Sequence, residues 1–272
     1  DRNPYSEVAW HQLGRQYYAL KNYEKAVWAF DYATLIDETF LGAYMEKAKS
    51  YEKLKKYKEA IDCYNVTLEI DDPSSFVLLR VAKCYERLGN TEFALNYYLK
   101  TVHEDPLLDK GWIAITDFYI RQKNFQKALY YVNKALAIDD QNRLYWKRFG
   151  TINKAMGNFE EAEFGYRKAV EFGDYQLDTW LFWVDMMHQM GEYNNAILTL
   201  IQSAEYFPEE AEIEYRLAGL HLLLNETEKG NFHLSNGLRL NVKHQTIVQE
   251  MFPTVWERPS VQEYIAKHRK PE

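Results

Sequence analysis

Large apolar rings and small residues recur along the chain with a single period of 34 residues. From Glu7 onward, Trp10, Tyr44, Leu78, Trp112, Trp146 and Trp180 follow one another at that interval, with Glu214 closing the series. Four residues later come Gly14, Ala48, Ala82, Thr116, Gly150, Val184 and Ala218, and three further on Tyr17, Tyr51, Tyr85, Tyr119, Asn153, Met187 and His221. Steps of three and four place these residues on one stripe of one helix. A second stripe follows, with Ala26, Ala60, Ala94, Ala128, Ala162, Ala196 and Gly230, then Phe30, Tyr64, Tyr98, Val132, Tyr166, Leu200 and Leu234. The pattern predicts fourteen helices of roughly 12–15 residues, paired into hairpins. Between the stripes stand Lys21-Asn22, Gly89-Asn90, Lys123-Asn124 and Gly157-Asn158, residues suited to turns that need positive φ. Rings beside small residues predict closely approaching backbones, so the aromatics read as core.

The frame runs without insertion or deletion through 7–40, 41–74, 75–108, 109–142, 143–176, 177–210 and 211–244. Trp10, Leu13, Gly14, Tyr17, Tyr23, Ala26, Phe30 and Ala33 carry a resemblance to the tetratricopeptide repeat family, supported by the repeat-closing prolines Pro106 and Pro208. Pro73 falls one place late, and Pro4 takes the same position ahead of Glu7. Residues 1–6 are therefore expected to end a preceding repeat, with the chain a fragment of a longer protein. The resemblance implies an all-α solenoid, a right-handed superhelix of seven stacked helix-turn-helix units. Such an array needs capped ends, and residues 245–272 are expected to form a C-terminal helical cap. In it, Gln245–Met251 reads as a short helix, Ser260 and Glu263 as a capping box opening a second, and Trp256 as a plug. Glu214, Gly230 and Gly237 depart from the motif and predict a weaker second helix in the seventh repeat.

Composition narrows the function. Thirty-three Lys and Arg against 40 Asp and Glu give a net charge of -7, which disfavours a general nucleic-acid binder. No stretch approaches the roughly 20 apolar residues of a membrane span. Cys63 and Cys84 are too few for a disulfide scaffold and too isolated for zinc, and read as buried thiols. No signal peptide stands at the start of the chain, and a cytoplasmic location is expected. Neither a phosphate-cradling glycine loop nor a nucleophile elbow is present. His221 and His188 read as core or groove histidines rather than metal ligands. The expectation is a non-enzyme with no catalytic residue, cofactor or metal.

In tetratricopeptide arrays the first helix of each repeat lines a concave groove, and the resemblance implies the same here. Over the first four repeats those positions hold eight basic and four acidic residues, net +4; over the last three they hold four and three, net +1. The basic stripe comprises Arg15, Lys49, Lys53, Arg80, Lys83, Arg87 and Arg121. One reading is a solvated face with pairing along each helix, for example Lys49 with Glu46 and Glu52, or Lys83 with Glu86. Another is a groove for an extended acidic peptide, and a third, single-stranded nucleic acid, is disfavoured by the acidic remainder. Chaperone-binding relatives carry a carboxylate clamp of Lys, Asn, Asn, Lys and Arg; the matching residues are His11, Arg15, Glu46, Phe76 and Arg80, and only the last agrees. The expectation is a scaffold that binds a protein or peptide, with no nucleic acid or membrane partner and with self-association left open. The alternative is a regulatory or substrate-presenting module of a larger protein with an enzymatic or DNA-binding domain elsewhere.

Overall fold

The structure, a computed structural model, describes residues 6–72 and 74–268. The expected end of a preceding repeat, Pro4 included, and the register of Pro73 fall outside the described residues, apart from Ser6. Every regular element among the described residues is helical. The chain divides into two compact units, Asp1–Ile138 and Asp139–Glu272. The first holds α1 (Glu7–Ala19), α2 (Tyr23–Ile36), α3 (Leu41–Lys53), α4 (Tyr57–Ile70), α5 (Ser75–Arg87), α6 (Thr91–Glu104), α7 (Asp109–Arg121) and α8 (Phe125–Leu136). The second holds α9 (Arg143–Met156), α10 (Phe159–Glu171), α11 (Leu177–Gln189), α12 (Tyr193–Tyr206), α13 (Ala211–Leu223) and α14 (Thr227–Leu240), followed by shorter helices. Within each unit successive helices pack as hairpins, and each hairpin packs on the next. This is an all-α solenoid.

Small residues set the spacing inside each hairpin. Ala26, Ala60, Ala94, Ala128, Ala162 and Ala196 are fully buried, with the rings of Phe30, Tyr64, Tyr98 and Tyr166 beside them. A Cβ on Gly14 would lie 2.4 Å from the Phe30 ring, and one on Gly165 2.7 Å from the backbone nitrogen of Gly150. At those points the partner's ring or backbone fills the space of a side chain. The tryptophans divide. Trp180 is fully buried, whereas Trp112 and Trp146 are half-buried and donate their indole N–H to the carbonyls of Pro106 and Asp140, at 2.8 and 2.7 Å. Those two rings clasp the turn between hairpins as well as filling core.

Each of the seven hairpins turns the same way. Lys21, Lys55, Gly89, Lys123, Gly157, Gly191 and Asn225 all take positive φ, between 56° and 80°. In the first, the N–H of Lys21 donates to the Tyr18 carbonyl and that of Asn22 to the Tyr17 carbonyl, the crossed pair of bonds that ends a helix through a left-handed residue. The next residue opens the following helix: Asn22, Asn90 and Asn124 accept the backbone N–H of Lys25, Phe93 and Lys127.

The C-terminal end comprises a 3-10 turn (Val242–Gln245), α15 (Thr246–Met251), α16 (Pro253–Trp256) and α17 (Pro259–His268). Three expectations change here. The plug is Phe252, not Trp256: Phe252 is buried, and a Cβ on Gly219 would come within 2.2 Å of its ring, while Trp256 stays half-buried. Ser260 does not cap a helix, because α17 starts one residue earlier at Pro259, whose fixed φ suits a first helical position. Gly230 and Gly237 do not break α14, which runs unbroken for 14 residues. A Cβ on either would crowd Leu222 or Tyr215, so both glycines admit close packing on α13.

Candidate functional site

The first helices of the first unit's hairpins, α1, α3, α5 and α7, carry the basic stripe, and arginines there form ion pairs between hairpins. Arg15 and His11 of α1 both approach Glu46 of α3, at 3.7 and 3.2 Å. Arg80 of α5 reaches back to Glu52 of α3 with two N–H donors, Nε to Oε1 at 2.8 Å and Nη2 to Oε2 at 2.9 Å. The Tyr64 hydroxyl donates to the same carboxylate at 2.6 Å and accepts from Arg80 Nε at 2.8 Å. Arg121 of α7, from a different place on its helix, also reaches back, donating Nε–H to Glu86 Oε1 of α5 at 3.0 Å, and Glu86 accepts from the Tyr98 hydroxyl at 3.0 Å. Burial and the adjoining carboxylates push both phenols well above the usual tyrosine pKa, so they remain donors. Among the described residues no salt bridge joins Lys49 to Glu46 or Glu52, or Lys83 to Glu86, the pairs expected along each helix. A planar guanidinium reaching from the next hairpin meets a carboxylate with two parallel bonds, which a lysine on the same helix cannot.

Three of the seven predicted residues, Arg15, Arg80 and Arg121, therefore sit against carboxylates. The other four are differently placed. Lys49 lies over the ring of Phe76, its Nζ 5.8 Å from the centroid, and the Arg80 guanidinium sits 5.6 Å from the same ring. Phe76 is itself 46% exposed, an apolar surface between two cations. Lys53, Lys83 and Arg87 are exposed, and among the described residues none has a salt-bridge partner. Partial desolvation, then the neighbouring Arg80, hold the Lys83 ammonium below the usual lysine pKa. A hollow of about 380 Å³ opens beside Lys49, lined by Arg15, Tyr18, Ala19, Glu46 and Lys49. Sequence reasoning found the cations and missed Tyr64 and Tyr98 as their anchors. The available signal was a tyrosine twelve residues after a glutamate in two consecutive repeats, Glu52 to Tyr64 and Glu86 to Tyr98.

In the second unit, Lys147 contacts Asp178 at 2.9 Å, and Arg216 contacts Asp185 and Glu212, each at 3.2 Å. His221 and His233 stack, centroids 5.4 Å apart, and each imidazole Nδ1 meets a carboxylate, Glu226 and Glu214. His188 packs instead on Phe252. No group of His, Cys, Asp and Glu among the described residues has a metal-binding arrangement. Cys63 and Cys84 are buried free thiols whose pKa burial pushes up to about 11 and about 12. No helix among the described residues is long and apolar enough to cross a membrane.

Stacked hairpins whose first helices expose polar side chains along one face define an α-solenoid of the protein-interaction class. Residues 41–72 and 77–110 match two family models of the tetratricopeptide repeat, and the chain carries tetratricopeptide repeats. Its fold is similar to that of the C-terminal part of a repeat protein from Cytophaga hutchinsonii, at 16% identity and a TM-score of 0.74 over 86% of this chain and 97% of that one. It is also similar to a tetratricopeptide repeat protein from Parabacteroides merdae ATCC 43184, at 16% identity and a TM-score of 0.59 over 92% and 99%. A third similar fold is YrrB, a repeat protein with an unusual peptide-binding site, at 17% identity and a TM-score of 0.50 over 63% and 88%. A search of curated protein sequences finds no significant match.

Proposed function

We propose that the chain is a non-catalytic scaffold that grips an extended acidic segment of another protein along the first unit's basic stripe. The observation that carries this reading is the cluster Lys49, Lys53, Lys83 and Arg87, four cations on two first helices, none of which has a salt bridge among the described residues. Arg15, Arg80 and Arg121 add positive surface at the margins while tying neighbouring hairpins together. Phe76 supplies an apolar contact between Lys49 and Arg80. Packed helices stand about 8–10 Å apart, so four hairpins offer a track of roughly 30 Å, or about nine extended residues. Charge-assisted bonds contribute about 1.5–3 kcal/mol each, ordering the peptide offsets much of that, and the affinity should be micromolar and salt-sensitive. The peptide-binding site of YrrB is a precedent for this use of the fold.

The test is fluorescence anisotropy with a labelled Asp- and Glu-rich peptide of about nine residues. Reversing Lys49, Lys83 and Arg87 to Glu should abolish binding while leaving the helical circular dichroism unchanged. Normal binding by that triple variant at low salt reduces the stripe to a solvated face.

A further inference from the structure

We propose that the outer face of the first two hairpins is a second docking surface, for a basic amphipathic helix of another protein. Helix α2 presents Trp28, Tyr32 and Leu35 at steps of four and three, 46%, 40% and 75% exposed. Three apolar side chains so spaced form one stripe along a helix, the complement of an apolar stripe on a helix laid beside it. Trp10 stiffens the stripe, stacked on Tyr32 at 4.6 Å and edge-on to Trp28 at 5.2 Å. Next to Leu35 opens a hollow of about 650 Å³ between α2, α3 and α4, with Tyr44, Val66 and Ile70 in its lining. Helix α3 turns Glu46 and Lys49 toward the basic stripe and Tyr44 and Lys47 toward this hollow, so the two surfaces lie on opposite sides of it.

The chain contains its own control. One repeat on, the counterparts of Trp28 and Leu35 are Asp62 and Glu69; two repeats on they are Asn96 and His103. The fold accepts polar residues at both places, so hairpin packing does not account for the apolar stripe. Charge selects the occupant. Asp37, Glu38, Glu69, Asp71 and Asp72 cluster where α2 and α4 end, and helix C-termini carry partial negative charge that favours a cation. Among the described residues Lys47 is the one cation lining the hollow, and it is held by Asp31 at 2.5 Å. An apolar stripe and hollow with an acidic margin fit a helix with apolar residues on one face and Lys or Arg along its flanks.

Two labelled synthetic helices of roughly eighteen residues test this against the full chain at about 0.15 M salt. They share one apolar face and carry either all Lys or all Glu on the other. The Lys helix should bind, and the Glu helix should bind at least roughly tenfold more weakly. Leu35→Asp should weaken the Lys helix by a similar factor although it adds negative charge, which attraction by net charge alone would turn into tighter binding. Leu35→Ser provides a neutral variant, and Lys83→Glu, on the basic stripe, should leave the affinity unchanged. Equal binding of the two helices, no binding of either, or full affinity in both Leu35 variants overturns the proposal. So does a dimer in sedimentation that Leu35→Asp abolishes, since a second copy would then be the occupant.

Discussion

Replacing Lys55 by glycine should stabilise the protein. Lys55 ends α3 with φ of 60°, in the left-handed region where an L-residue costs about 1–2 kcal/mol. Its N–H donates to the Glu52 carbonyl and that of Lys56 to the Tyr51 carbonyl, so the conformation is fixed by the turn. Its side chain is exposed and has no ion pair among the described residues. Glycine removes the backbone strain and returns about 0.4–1 kcal/mol through the freer unfolded chain, leaving a net gain of about 0.5–1 kcal/mol. Lys21 and Lys123 occupy the same place in their hairpins, with φ of 59° and 56°. Sites in separate turns add nearly independently, so the triple variant should gain about 1.5–3 kcal/mol. The converse control is Gly89→Ala, where nothing lies within 4 Å of an added Cβ and φ is 77°. Alanine there meets no clash, and its cost of about 1 kcal/mol would be conformational alone. Urea midpoints at unchanged m-value read both effects. A lower midpoint for Lys55→Gly, or a higher one for Gly89→Ala, refutes the reasoning.

Trp180→Ala should cost about 3–5 kcal/mol, the price of emptying a fully buried ring, whereas exposed Lys83→Ala should stay within about 0.5 kcal/mol; similar urea midpoints for the two would remove Trp180 from the core. The second unit should lose stability in acid: burial, opposed by Asp185, holds the His188 imidazole below its usual pKa. The folded state then binds fewer protons than the unfolded one, so the contribution is complete above about pH 6.5 and is lost as pH falls. His188→Gln should flatten the slope of stability with pH below that point, and an unchanged slope counts against His188 as its source.

The hairpins were legible because their determinants are periodic. An alanine that returns every 34 residues opposite a ring announces a close helix crossing wherever it occurs. The turns were half legible: Gly89 and Gly157 signal positive φ, but Lys55 does not, since lysine shows no preference for that conformation and is held there by its neighbours. The basic stripe was visible as charge and not as pairing, because Arg80 and Glu52 lie 28 residues apart and meet only once hairpins stack. The cap was least legible. Phe252 plugs the end because Gly219 leaves room for its ring, a complementarity between two non-repeating positions that no periodicity reveals.

The carboxylate links between hairpins give the first unit a grammar for growth. The second hairpin carries an acceptor, Glu52, and the fourth a donor, Arg121, while the third carries both, Arg80 facing back and Glu86 facing forward. Only the third hairpin can follow itself with the link intact: its copy's arginine would meet its own glutamate as Arg80 now meets Glu52. Lengthening the array by tandem duplication of residues 75–108 should therefore preserve the seam. Duplicating residues 41–74 would set Glu46 where Arg80 stands, opposite Glu52, and place two like charges at the new junction.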